Sequence, residues 1–205
     1  MNRRVKQLSY DSIEKNVTRE TIANYISPGK CILDFFGSMG EMYWHIKRNC
    51  IDKKIYSIDT GKSFHDEKRL EKLFRNSDDR ELISLGELIE RQDRKFQVAW
   101  LDYCGELGMY MWKDLKNLHK IMEDEGYIFI TYCVGHEKNF AKGTPREIID
   151  GINIPITEFE LEQGGIKLME KVMDKHYYSQ PIYSDRKSNR RTPMVVIGWR
   201  YKKII

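Results

Sequence analysis

Four apolar segments of this chain end on an acidic residue, and that pattern narrows the folds open to it. Cys31-Ile32-Leu33 runs into Asp34, Lys54-Ile55-Tyr56-Ser57-Ile58 into Asp59, a shorter stretch into Gly86-Glu87, and Phe96-Gln97-Val98-Ala99-Trp100-Leu101 into Asp102. Runs this short, rich in β-branched and aromatic residues, read as buried strands, and the stretches between them carry helical spacing. Strands alternating with helices predict a mostly parallel sheet with a helical layer on each side, a three-layer α/β arrangement of the Rossmann-like kind. In such sheets ligands bind beyond the carboxyl ends of the strands. Acids at those ends would line one rim, where a ligand would sit.

The rest of the chain fits this frame. Ser12 to Ile26 places Ile13, Val17, Ile22 and Ile26 among charged residues and stops at Ser27-Pro28-Gly29, which predicts a helix closed by a turn. Helices are also expected over Glu41 to Arg48, Phe64 to Phe74, Tyr110 to Glu125 and Ile166 to Met173, with Tyr127 to Tyr132 as a fifth strand. Glu81 to Ile89 fits either a strand ending at Gly86-Glu87 or the start of a helix. Glycine in a helix interior costs roughly 1 kcal/mol relative to alanine, which favours the strand. His176 to Tyr183 and Met194 to Tyr201 alternate as two strands joined by a basic loop, giving a seven-stranded sheet with an antiparallel C-terminal hairpin.

Length and composition set the outer limits. A chain of 205 residues, 40% hydrophobic and 32% charged, has room for one globular domain spanning 1–205. No apolar run approaches the ~20 residues that cross a bilayer. The basic start, Met1 to Gln7, is not followed by an apolar signal core, so a cytoplasmic protein is expected. Cys31, Cys50, Cys104 and Cys133 form no CxxC pair, and the five histidines show no ligand spacing, so no metal site is expected.

The segment Ile32-Leu33-Asp34-Phe35-Phe36-Gly37-Ser38-Met39-Gly40 resembles the first motif of class I S-adenosylmethionine-dependent methyltransferases. In that family an acid follows the first apolar strand, and small residues let the backbone approach the methionine part of the cofactor. Phe36 and Met39 depart from the pattern, standing where many members carry a small residue. By the same resemblance Asp59 corresponds to the acid that holds the ribose hydroxyls, Gly86-Glu87 to the pair beside the adenine amine, and Asp102 to the acid after strand four. The cofactor-binding set so implied is Asp34, Phe35, Phe36, Gly37, Ser38, Gly40, Asp59, Thr60, Gly86, Glu87, Asp102 and Tyr103. A nicotinamide dinucleotide fits less well. The G-x-G-x-x-G fingerprint is missing, and the acid before the glycines would repel a pyrophosphate; a P-loop is also absent.

The acceptor is signalled more faintly. Asp102-Tyr103-Cys104-Gly105 stands where amino-group methyltransferases of DNA carry an Asn/Asp-Pro-Pro-aromatic motif, which this chain lacks. Asp102 is a candidate hydrogen-bond acceptor for an N–H or O–H of the substrate, with Tyr103 available for stacking; the alternative is that both serve only the cofactor loop. Cys104 and Cys133 resemble the two motif cysteines of RNA 5-methylcytosine methyltransferases, which would make them catalytic, while their alternative is inert buried thiols. Arg186, Lys187, Arg190 and Arg191 gather in the hairpin loop and suit a nucleic-acid backbone, or simply solvent. The function expected is methyl transfer from S-adenosylmethionine to nucleic acid. The alternatives are a protein or small-molecule acceptor, or a binding protein with this fold and no catalysis.

Overall fold

The computed structural model describes residues 10–11, 13–36, 40–61, 67–75, 77–103, 109–133, 147, 149–181 and 192–204. The chain order is β1 (Tyr10–Asp11), α1 (Ile13–Asn24), β2 (Cys31–Phe35), α2 (Glu41–Asn49), β3 (Lys54–Ile58), α3 (Glu67–Phe74), β4 (Arg80–Glu81) and α4 (Leu85–Arg91). There follow β5 (Phe96–Asp102), α5 (Met109–Asn117), β6 (Met122–Cys133), α6 (Ile154–Gln163), β7 (Ile166–Pro181) and β8 (Thr192–Lys203).

The strands form one sheet in the order β1-β7-β8-β6-β5-β2-β3-β4. Pairing is parallel from β6 through β5, β2 and β3 to β4, and antiparallel where β8 lies between β6 and β7. The expected seven strands are present, with the expected antiparallel C-terminal hairpin. An eighth, β1, adds two residues to the outer edge of β7 through Tyr10↔Pro181 and Asp11↔Gln180.

Alternation along the central strands divides the core in two. Ile32, Val98, Trp100 and Phe129 face α1, α2 and the end of α3, where Ile22, Ile26, Met42, Ile46 and Phe74 are buried. Leu33, Ala99, Leu101, Ile128 and Ile130 face the other layer, built from Leu88 of α4, Leu115 of α5 and Leu161 of α6.

Several elements differ from expectation. The helix expected over Tyr110 to Glu125 ends at Asn117 and a single 3-10 turn follows, so the strand begins at Met122. The sheet claims the segment instead: Met122 pairs with Phe96, and Glu125 to Cys133 pair in register with β8. Ile166 to Met173 is the first half of β7 rather than a helix, because the segment pairs with β8 throughout. Two register shifts, between Leu168 and Glu170 and between Lys171 and Met173, blur its alternation, which is why the period of 2 was hard to read. Helix α6 was not expected.

Candidate functional site

The chain leaves β2 for β3 and β4 on one side, then crosses to β5 and β6 on the other. Strand order therefore reverses between β2 and β5, and Asp34 and Asp102 end the two strands that flank this switch point. Asp34 is paired in register with Trp100, two residues before Asp102, so both carboxylates lie on the α1–α2 face.

This rim is polar, and Asp34 at its centre is buried. Asp34 is only 1% exposed and accepts a 3.4 Å hydrogen bond from Ser57 Oγ. Burial and the neighbouring charge of Asp102 push its carboxyl well above the ordinary range, while Arg19 and Lys15 pull it back. Trp100 Nε1 donates to Thr131 Oγ1 at 3.0 Å, satisfying the indole next to the acids. Lys15, on α1, reaches Asp102 Oδ2 at 2.6 Å.

Beyond β2 the chain turns into α2. Gly40 caps that helix with φ 62°, and its amide donates to Phe36 O at 3.0 Å. A Cβ at this position would stand 2.7 Å from Phe36 Cε1 and closer still to Cζ, so only glycine closes the turn without displacing the ring. Gly37 and Ser38 lie outside the described residues. Phe36 requires a correction as a cofactor contact. Its ring is in the core, 5.0 Å from Phe74 and 5.5 Å from Tyr43 between centroids, so its side chain supports the turn from below.

Asp59 follows β3 at the same rim, its Oδ1 accepting from the Gly61 amide at 2.7 Å. This is a short local turn with Asp59 half-buried and Thr60 exposed beside it. On the opposite face Phe35 and Tyr103 meet edge-on, with centroids 5.1 Å apart. The Tyr103 hydroxyl is buried with no hydrogen-bond partner among the described residues, and burial raises its pKa.

The strand expected to end at Gly86-Glu87 is overturned. β4 stops at Glu81, Ser84 caps α4, and Gly86 and Glu87 occupy that helix's first turn. Glu87 Oε2 accepts from the Ser84 amide at 2.7 Å while Ser84 Oγ accepts from the Glu87 amide at 3.2 Å, a reciprocal capping box. The Ser84 amide first, and then the Ser84 hydroxyl donating to the same oxygen at 2.7 Å, hold the Glu87 carboxyl below its ordinary range. Gly86 is small because the Asp114 carboxylate packs against it, 3.1 Å from where a Cβ would be. The Ser-x-x-Glu spacing of Ser84 and Glu87 was the sequence signal for this cap. Replacing Ser84 by alanine should therefore cost about 1 kcal/mol of folding stability in denaturant titration. Glu87→Gln should leave ligand affinity at the rim unchanged, an outcome calorimetry would check.

Of the remaining candidates, Cys104 and the basic residues Arg186, Lys187, Arg190 and Arg191 lie outside the described residues, as does the side chain of Cys133, whose backbone ends β6. Among the described residues no group of three or more His, Cys, Asp or Glu is placed to hold a metal ion, and no helix is long and apolar enough to cross a membrane. A cleft of about 580 Å³ lined by Phe74, Arg80, Glu81 and Leu82 opens beside β4, at the sheet edge rather than at the switch point. Its acids and bases are taken up locally, Glu71 by Arg75 at 2.9 Å and Glu81 by Arg91 and the Tyr56 hydroxyl.

Sequence reading missed Lys15 and Arg19. The buried stripe of α1 is Lys15, Thr18, Arg19, Ile22 and Ala23, continued past its end by Ile26, whereas Val17 is 46% exposed. That stripe keeps helical spacing throughout and becomes polar only where it passes over the acids.

No protein-family model and no curated protein matches this sequence. Solved structures do match in shape. The M. jannaschii TYW2 structure, a complex with AdoMet, superposes with a TM-score of 0.57 at 15% identity, over 95% of this chain and 78% of that one. This is the class I S-adenosylmethionine-dependent methyltransferase fold. The precorrin-6y C5,15-methyltransferase of Geobacter metallireducens shares the fold with a TM-score of 0.55 at 10% identity, covering 97% of this chain and 95% of that one. A 30S ribosomal A1408 methyltransferase from an uncultured bacterium gives 0.52 at 16% identity, covering 96% and 97%. In open α/β sheets ligands bind at such a switch point, and the one between β2 and β5 carries Asp34 and Asp102.

Proposed function

We propose that the protein is a cytoplasmic S-adenosylmethionine-dependent methyltransferase, formed by a single domain and acting on nucleic acid. The observation that carries this reading is the pair of carboxylates, buried Asp34 and half-buried Asp102, on the two strands of the switch point. They suit a cationic ligand and disfavour a phosphate.

The donor set fits the cofactor. Asp34 and Asp102 would face its positively charged end, the turn closed by Gly40 would pass its backbone close to the amino-acid portion, and Asp59 would accept from the ribose hydroxyls. Phe35 and Tyr103 would offer apolar surface to the adenine. When bound, the cofactor supplies an electrophilic methyl group on a sulfonium. Asp102 would take a hydrogen bond from the acceptor's N–H or O–H, orienting its lone pair along the line of displacement and receiving the proton it sheds.

Nucleic acid as acceptor is supported by the basic run Arg186 to Arg191 and by the ribosomal RNA methyltransferase among the similar folds. A small-molecule acceptor has the precorrin enzyme in its favour. A tritiated-methyl transfer assay over RNA, DNA, protein and metabolite pools separates the two. Label entering RNA or DNA, and lost with Asp102→Ala, is expected; label confined to protein or metabolites would overturn the acceptor class. Absence of any calorimetric signal with millimolar donor would overturn the cofactor. Asp59→Ala should weaken cofactor binding by roughly 1.5–3 kcal/mol while the thermal midpoint hardly moves, since the residue is outside the core.

A further inference from the structure

The first half of α1 lies against the rim with a charged underside. Lys15 and Arg19 are 6% and 3% exposed. Lys15 Nζ stands 2.6 Å from Asp102 Oδ2, and Arg19 faces Glu41 at 3.9 Å and bonds Asn16. A buried ion pair is a poor fastener: desolvating two charges offsets most of their attraction, and apolar residues of similar volume hold a helix to a sheet at least as well. Ile22, Ala23 and Ile26 already anchor the far half of α1 in that way. The ammonium of Lys15 therefore needs another reason to be where it is, and its place is beside the acids of the crevice.

We propose that Lys15 sets the charge of this crevice and thereby limits its preference for the methyl donor over the demethylated product. The inference rests on the cofactor reading above. The donor carries an ammonium, a carboxylate and a sulfonium, one net positive charge; the product has exchanged the sulfonium for a neutral thioether. Two carboxylates without a counter-ion would hold the sulfonium tightly before reaction. During transfer that charge spreads onto the acceptor, so tight ground-state binding of the sulfonium would deepen the well from which the reaction climbs. A fixed ammonium beside Asp102 repels the sulfonium, leaves the thioether alone and, being itself buried, is weakly screened. Lys15 is in this sense a specificity-determining residue, acting on the cofactor through the field rather than by contact.

The test compares three ligands, S-adenosylmethionine, S-adenosylhomocysteine and sinefungin, which carries an amine in place of the sulfonium methyl. Calorimetry is run on the intact protein and on Lys15→Met, Lys15→Gln and Lys15→Arg. Removing the ammonium should raise the ratio of product Kd to donor Kd about tenfold, the scale of one buried charge, with sinefungin following the donor. Lys15→Arg should keep the parent ratio. In turnover, Lys15→Met should lower both KM for the donor and kcat. Lys15→Gln retains a hydrogen bond to Asp102 and carries the test should the methionine variant fail to fold. Equal weakening of donor and product, or an unchanged ratio, would overturn the proposal alone. A folded parent that binds neither ligand would overturn it together with the cofactor reading.

Discussion

Gly40→Ala is expected to destabilise the fold by about 2–5 kcal/mol and to abolish cofactor binding. Two effects add. The residue sits at φ 62°, where a side chain costs about 1–2 kcal/mol, and the new methyl drives into the Phe36 ring, an overpacking worth about 1–3 kcal/mol. The ring cannot step aside, because Tyr43 and Phe74 pack against it. Chemical denaturation would report the loss of stability. Gly40→Ala/Phe36→Leu should recover part of it by removing the clash, leaving the backbone strain. A single variant as stable as the parent would mean that the Phe36 ring gives way to the new methyl group.

Asp34→Asn should move stability and function in opposite directions. Burial raises the pKa of this carboxyl, so the folded protein holds the proton more firmly than the unfolded chain does. The contribution of such a group is fully present below the unfolded value, near ~3.9, and is lost as pH rises through the elevated folded value. At neutral pH the unfolded carboxyl is ionised while burial opposes ionisation in the fold, a linkage cost that asparagine removes. The variant should melt higher at pH 7 to 8, by roughly 2–4 °C for each kcal/mol relieved, and the gain should shrink toward pH 4. Donor affinity should fall by about 1.5–3 kcal/mol, since the amide offers no charge to the cationic ligand. Melting curves across pH together with calorimetry check both halves. A variant less stable than the parent at neutral pH would show that the Ser57 hydrogen bond and the nearby cations outweigh the desolvation of Asp34.

Such a trade at one residue bears on what a sequence can reveal. The central strands were legible because β2, β3 and β5 are continuous apolar runs, and the rim because each ends on an acid. The failures share a cause, namely a local signal outweighed by a neighbour. Gly86 argued for a strand by propensity, yet the Ser84 cap and the fit of Asp114 made it the start of a helix. Tyr110 to Glu125 has helical spacing throughout, but Met122 pairs with β5 and Glu125 with β8. Lys15 and Arg19 were passed over because charged residues on a helix are ordinarily its wet face. Only the three-dimensional position of α1, over two acids contributed by strands far away in the chain, turns that face inward.

The two bulges of β7 have a consequence for how the protein behaves in a crowd. β1 covers only the last two residues of that strand, so most of its outer side carries hydrogen-bonding groups that no other described strand takes up. A long flat edge of this kind would template a second chain and seed aggregates. The extra residues Met169 and Val172 break the rhythm of donors and acceptors along it, and charged side chains such as Lys167 and Glu170 would have to lose water before a copy could pair. At the other margin of the sheet β4 is two residues long, too short to recruit a partner. The irregularity that hid β7 from its own sequence pattern is also what makes its edge a poor adhesive.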